Sequence, residues 1–237
     1  MQPFHVAIDG PVAAGKGTVS RLVADRLQFL YVDTGAMYRV TALIGERAGV
    51  SLTDEAQLVE LVKKSQIEMR NPRDEERDTR LTTVLLDGDD VSWAIRTESV
   101  GKGASQVATL PEVRKVLVEK QQKIAESQNV VMEGRDITYR VLPNAQLKIF
   151  LTAADTVRAK RRHMQLLTKG SAATFEAVYT ELMQRDERDM SRNTDPLKIT
   201  SDAWVVDTSD FSIEQVVELI VARVRVMQEH QTTLSHE

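Results

Sequence analysis

Phe4-His5-Val6-Ala7-Ile8-Asp9-Gly10-Pro11-Val12-Ala13-Ala14-Gly15-Lys16-Gly17-Thr18 is the stretch whose reading decides the fold. Through Ile8 it is a short apolar run with β-branched residues, bounded by turn formers, and it reads as a buried strand. From Val19 the apolar positions Val19, Leu22, Val23 and Leu27 fall at helical spacing. Between strand and helix lies G-x-x-x-x-G-K-G-T. Glycines in such a turn let backbone N–H groups converge on an anion with no Cβ in the way, and the helix N-terminus adds its dipole. Residues Gly10, Pro11, Val12, Ala13, Ala14, Gly15, Lys16, Gly17 and Thr18 are therefore a candidate phosphate cradle, with Lys16 reaching the β- and γ-phosphates. The strict pattern has Ser or Thr directly after the lysine. Here Gly17 stands there and the hydroxyl follows on Thr18.

Outward from the cradle, Phe29-Leu30-Tyr31-Val32 reads as a second strand, ending in Asp33-Thr34-Gly35-Ala36-Met37-Tyr38-Arg39. The following helix has Met37, Val40, Leu43 and Ile44 on one face, and Arg39 lies off that stripe. Asn129 to Glu133 reads as a third strand, ending in Gly134-Arg135-Asp136, so Arg135 repeats the placement of Arg39 at a strand's carboxyl end. Ligands bind at that edge of open α/β sheets. Gln146–Leu151 and Ala203–Asp207 read as the fourth and fifth strands. Short apolar strands separated mostly by helices predict an α/β fold: a five-stranded parallel sheet with helices on both faces. Residues 65–95 differ in character. Ile67 and Met69 alternate with polar residues, a charged stretch follows, and Leu81–Leu86 runs into an Asp87-Gly88 hairpin signal. This predicts a small antiparallel β insertion between core segments 1–64 and 96–230, the alternative being an edge hairpin of the main sheet. Residues 231–237 read as a loose tail.

Two helical segments carry charge where an apolar face is expected. From about Thr174 to Arg192 the stripe Phe175, Val178, Leu182 continues as Arg185, Asp189, Arg192 without changing direction. A charge on a core-facing stripe is costly unless it is paired or meets a ligand. The competing reading is a helix that has left the core and makes solvated pairs. Before it, Arg158, Lys160, Arg161 and Arg162 put four cations within five residues, and Leu166–Ser171 offers a hinge. Residues 154–172 thus read as a basic helical lid whose closure excludes water.

The 237 residues are 42% hydrophobic, enough for a sizeable core, and carry a net charge of −4, so no basic field draws the chain to nucleic acid or anionic membrane. Cysteine is absent, which excludes disulfides and thiolate chemistry and fits a reducing compartment. No signal peptide or bilayer-spanning run is read from the sequence, so a cytoplasmic protein is expected.

The motifs together resemble the bacterial cytidylate kinases, of the nucleoside monophosphate kinase group. The pieces that carry the resemblance are Asp9-Gly10-Pro11 with Gly15-Lys16-Gly17-Thr18, Asp33 to Arg39, and Ile95-Arg96-Thr97. Ala104-Ser105-Gln106-Val107-Ala108 with Pro111-Glu112-Val113-Arg114, Gly134-Arg135-Asp136, Arg185-Asp186-Glu187-Arg188-Asp189 and Ser212 to Gln215 complete it. They follow the family's order over nearly the whole chain, and Gly17 after the lysine is what the group shows. The resemblance implies a P-loop kinase fold that transfers the γ-phosphoryl group of ATP to CMP or dCMP. It implies ATP phosphates on Gly10–Thr18, the CMP phosphate on Arg39, Arg135 and Arg192, with Thr34 beside them, and cytosine on Ser105, Arg114 and Asp136. Arg185 and Asp189 would hold the sugar, and Arg158, Arg162 and Arg188 would join Lys16 as transition-state cations. Two segments depart from the family pattern: Thr138-Tyr139-Arg140, where Gly-Thr-Val is common, and Gly101-Lys102-Gly103.

A phosphate acceptor is already ionised at neutral pH, so no general base is needed, and none is apparent. Mg²⁺ is expected with ATP, held mainly by phosphates and water with Thr18 as a contact, since no side chains fall at metal-ligand spacing. ATP and CMP or dCMP are the expected partners, with no nucleic acid or membrane, and the chain is expected to act as a monomer. The enzyme alternative is a kinase for another nucleotide or a metabolite hydroxyl; the latter would call for a base. The alternative from another class is a nucleotide-dependent regulatory protein, although the Asn-Lys-x-Asp guanine reader is missing.

Overall fold

The computed structural model describes residues 2–234 apart from positions 77 and 169. Strands β1 (His5–Asp9), β2 (Leu30–Asp33), β6 (Val130–Gly134), β7 (Leu147–Thr152) and β8 (Trp204–Asp207) form one parallel sheet in the order β2-β6-β1-β7-β8. Period-two alternation feeds two cores. Val6, Ile8, Val131, Ile149 and Leu151 face helices α1 (Lys16–Leu27) and α8 (Ile213–Leu234). Ala7, Val32, Val130 and Met132 face α2 (Thr34–Ala48), α3 (Glu55–Lys64), α4 (Glu98–Val107) and α5 (Pro111–Ala125). Each fully buried aliphatic side chain here is worth about 1.5–3 kcal/mol relative to exposure.

Register places the functional segments together. Asp9 aligns with Gly134 and Phe150, and Asp33 with Glu133, so the chain leaves β1, β2 and β6 at one edge of the sheet. Pro111 begins α5, where its missing N–H costs no helical hydrogen bond. The capping box that opens α8 forms in full: Gln215 N–H donates to the Ser212 hydroxyl (3.2 Å), and Ser212 N–H donates to Gln215 Oε1 (2.9 Å). That helix runs on to Leu234, so the expected tail from 231 begins as helix; positions 235–237 lie outside the described residues.

The 65–95 segment is a separate antiparallel sheet of β3 (Ile67–Arg70), β4 (Thr83–Leu86) and β5 (Asp89–Asp90), not an edge hairpin of the main one. Asp87 and Gly88 both have positive φ (51° and 91°), which a two-residue hairpin turn of the right twist requires. Asn71 docks this unit on the sheet: its side chain accepts from Tyr31 N–H (3.0 Å) and donates to the Phe29 carbonyl (2.9 Å), covering the β2 edge.

Candidate active site

The turn between β1 and α1 is built on backbone that few residues tolerate. Gly10 has φ +154°, and a Cβ there would lie 2.0 Å from the Leu151 carbonyl oxygen. Gly15, the residue before α1, has φ +91°, and Ala13 has φ +59°. Gly10 and Pro11 are buried beneath the turn, whereas Val12 to Thr18 line a cleft of about 1260 Å³. That is above the usual range for a pocket that holds one small ligand. Lys16 is buried, and its ammonium donates to the Pro11 carbonyl (2.8 Å). Burial, and then the nearby Arg135 charge, bring its pKa down to about 7 against the pull of Glu133, Asp189 and Asp9. A phosphate would reverse that balance.

Beneath the turn, Asp9 is fully buried and accepts three hydrogen bonds, from Ile137 N–H (2.9 Å), Thr138 N–H (2.8 Å) and the Thr138 hydroxyl (2.7 Å). Burial still pushes its carboxyl up to about 6. These bonds lock strand β1 to the π-helical turn Ile137–Val141 that follows Asp136.

Helices α6 (Asp155–Leu167) and α7 (Phe175–Ser191) form the basic hairpin. The structure places the expected cations of this hairpin differently from one another. Arg158 does not face the cleft. It is 3% exposed, and its guanidinium donates to the Ala153 carbonyl, the Val12 carbonyl, Asp155 and Asp186. Asp186 in turn accepts from Val12 N–H (3.1 Å). The pair grips the cradle at Val12 from behind, with four of the five guanidinium N–H donors engaged within the protein. Arg161 lines the cleft and donates to the hydroxyl and carbonyl of Thr208. Arg188 does line the cleft, and Arg162 stands exposed within electrostatic reach of Arg39 and Arg185.

The charged end of the α7 stripe turns into the cleft as the sequence predicts. Arg185, Arg188, Asp189 and Arg192 line it together with Arg39 and Arg135. Asp189 accepts from Arg135 Nε (2.7 Å), and although its burial opposes ionisation, Arg135 holds its pKa below the usual value. Arg39 donates to the Ile95 carbonyl (3.1 Å), and burial and then Arg96 lower its pKa. Cations crowded enough to destabilise one another's charge favour an arriving anion. The Thr34 hydroxyl is spent on the Glu133 carbonyl (2.8 Å), and that of Ser105 donates to Gly101 (3.4 Å) within α4.

Arg114 and Asp136 form a buried ion pair on the cleft wall, with Arg114 only 1% exposed and lying over the Tyr38 ring. The other carboxylates of the cleft are Asp33 and Glu133. Asp33 caps α2 through Ala36 N–H and takes a bond from Arg96, while Glu133 accepts from the Tyr31 hydroxyl. No group of three metal-ligating side chains occurs among the described residues. Thr18 and Glu133 fit a Mg²⁺ ion that brings its other ligands as phosphate and water, not a protein-caged one.

The cytidylate kinase family model matches residues 6–226. The chain belongs to the cytidylate kinase family. The cytidylate kinase of Caldanaerobacter subterraneus subsp. tengcongensis is 47% identical over 93% of this chain and 94% of its own length; that of Bacillus subtilis is 41% identical over 93% and 96%. A solved structure of an uncharacterized protein from Eubacterium ventriosum shares the fold at TM-score 0.50 and 11% identity, covering 95% of this chain and 99% of that one.

Within this cytidylate kinase architecture, most of the residues singled out in the sequence line the cleft, Arg158 and Arg162 do not, and several residues that hold the lining in place carry no signal of their own. Arg96 sat in a quoted motif without a role; it pairs with Asp33 at 2.9 Å. Asp186, Asp9 and Asp195 went unassigned, because each acts through a partner more than 25 positions away. For Asp9, the signal available was a carboxylate placed at the end of an apolar strand.

Proposed function

We propose that this chain transfers the γ-phosphoryl group of ATP to CMP or dCMP, giving ADP and CDP or dCDP. The observation that carries the reading is the buried Arg114–Asp136 pair facing the same cleft as the P-loop, in a chain of the cytidylate kinase family. A carboxylate accepts from the exocyclic amino group of cytosine, and a guanidinium donates to its ring nitrogen and carbonyl. Arg39, Arg135 and Arg192 would hold the acceptor phosphate, with Arg185 and Asp189 at the sugar.

An acceptor phosphate oxygen attacks the γ-phosphorus as the bond to the ADP oxygen breaks. No proton must be removed first. The chain's contribution is alignment and charge: the Val12–Thr18 turn orients the donor phosphates, and Lys16, Arg188 and Arg162 meet charge spread over the transferring group. Mg²⁺ bound with ATP would neutralise the β- and γ-phosphates, with Thr18 and Glu133 beside it. Closure of the α6–α7 hairpin over the triphosphate would exclude water. The lack of cysteine fits a reducing compartment such as the cytoplasm.

Initial rates with CMP, dCMP, UMP and AMP at fixed MgATP test the reading. CMP and dCMP should lead. Equal rates with a metabolite alcohol, or ATP turnover indifferent to every nucleotide acceptor, would overturn it.

A further inference from the structure

Asp195 lies in the loop after α7, just before Pro196, and has a left-handed backbone with φ +47°. Two sets of contacts meet at this one residue. Its carbonyl accepts from Nε of Arg192 (2.7 Å) and from the same guanidinium's Nη2. Its carboxylate accepts from Nε of Arg114 (3.0 Å), and its other oxygen lies 3.6 Å from Nε of Arg140. The result is a row of alternating charge: Arg192, Asp136, Arg114, Asp195, Arg140.

The loop is fastened on both sides. Leu197 N–H donates to the Asp189 carbonyl (2.8 Å), tying it to α7. The Tyr139 hydroxyl donates to the Pro196 carbonyl (2.5 Å), and the Lys198 ammonium sits 4.0 Å from the centre of the Tyr139 ring. Tyr139 and Arg140 belong to the segment where this chain departs from the family resemblance. That segment follows Asp136 directly, so the departure and Asp195 form one structure behind the base-reading pair.

We propose that Asp195 is a positioning residue for base recognition, coupling the Arg114 that reads the base to the Arg192 that faces the phosphate. This rests on the reading of the cleft as a CMP site. A guanidinium has five N–H donors. Asp136, Asp195 and the Ala108 carbonyl (3.2 Å) occupy three on Arg114, leaving two for a ligand. With the Nε edge pinned by Asp195, those two point in one fixed direction. Cytosine offers them acceptors, whereas uracil offers an N–H at the ring nitrogen. Without the Asp195 carboxylate the Arg114 guanidinium can turn and the mismatch with uracil relaxes, whereas Arg192 keeps its bonds to the Asp195 main-chain carbonyl. The discrimination between the two bases depends on a residue that neither of them touches.

The test uses Asp195→Asn, which keeps the shape and the left-handed backbone but not the charge, and Asp195→Gly, which keeps only the backbone. Tyr139→Phe removes one bond of the clasp. In Asp195→Gly, kcat/KM for CMP should fall about tenfold, mostly through KM, while UMP falls about twofold, so the CMP:UMP ratio shrinks roughly fivefold. Asp195→Asn should retain part of the ratio, and Tyr139→Phe should lower it about twofold. KM for ATP should stay within about twofold of wild type, since Arg114 and Arg192 are assigned to the acceptor. Should Asp195→Gly fail to fold, Asp195→Asn decides alone. Equal loss for CMP and UMP, no loss for either, or a matching rise in KM for ATP overturns the proposal. A wild-type protein that ignores CMP altogether would instead sink the functional reading itself.

Discussion

The cleft has two regions built on different physics. Around Val12–Thr18 the ligand would meet main-chain N–H groups, a helix N-terminus and one lysine, shaped by φ values near Gly10 and Gly15. Around Arg114 it would meet side chains alone, arranged as alternating charges drawn from α5, the turn after β6 and the loop after α7. Backbone geometry is set by a short contiguous segment and tolerates little change. A side-chain network draws on distant segments, and one substitution can retune it. The first arrangement suits a phosphate group common to many ligands; the second suits a base that must be told from its neighbours.

The largest effect should come from the backbone-built region. Lys16→Met should cost about a thousandfold in kcat/KM, because the cation held within the phosphate turn is lost where water is excluded. Its melting temperature should stay level or rise, since an ammonium desolvated enough to titrate near 7 is replaced by an apolar chain. An active variant, or an unfolded one, would break the distinction between a ligand-facing lysine and a core residue.

The next prediction separates two arginines of the same hairpin. Arg158→Ala leaves Asp186 buried without its partner and should cost about 3–5 kcal/mol of stability, lowering the melting temperature clearly. Arg188→Ala, at an exposed cleft position, should leave melting nearly unchanged and lower kcat about ten- to a hundredfold. Restoring charge balance in Arg158→Ala with Asp186→Ala should recover part of the stability. If Arg158→Ala melts like wild type and only kcat falls, Arg158 belongs with the transition-state cations and its burial in this conformation is incidental.

A smaller effect tests the side-chain region. Wild type should prefer CMP over UMP roughly ten- to a hundredfold, since uracil would leave Asp136 and Arg114 mispaired at about 1–3 kcal/mol each. Asp136→Asn should narrow that gap, because an amide can donate to the uracil oxygen. Measuring kcat/KM for both nucleotides in both proteins decides it; a single common factor of slowing would remove Asp136 from base reading.

These two regions also differ in how far the sequence alone reveals them. The P-loop is legible because strand, turn and helix follow one another within fifteen residues, and each leaves its own pattern. The inward turn of Arg185, Asp189 and Arg192 is legible because helical periodicity continues through the change from apolar to charged. Arg158 obeys no such rule: its face of α6 is basic, and nothing local says that Asp186, on another helix, will bury it. Asp195 is harder still. Asn193-Thr194-Asp195-Pro196 announces a turn, but the direction of a carboxylate within a turn depends on what the loop lands against. The insertion was readable from its Asp87-Gly88 turn, whereas its attachment to β2 through Asn71 needed the fold.

The smallest predicted signal, a proton, returns to the phosphate region. In the free protein Lys16 titrates near 7, lowered first by burial and then by Arg135. A polyphosphate in contact with the ammonium favours its charged form and lifts the pKa back toward the ordinary lysine range. The free lysine is more neutral at pH 8 than at pH 6, so proton uptake at Lys16 on ADP binding should be larger at pH 8. The sign for stability follows from the same shift. Between about pH 7 and the unfolded value near 10.5 the unfolded chain binds more protons, so this group makes stability rise with pH there; below 7 it contributes no slope. Calorimetry of ADP binding in buffers of different ionisation enthalpy reads the uptake. Lys16→Arg is the control, because it keeps a cation that does not titrate in this range and carries the same background from the nucleotide and the other arginines. The difference between the two proteins should grow from pH 6 to pH 8. If they exchange equal numbers of protons throughout, Lys16 is charged before the ligand arrives, and the phosphate region is poised by something other than burial.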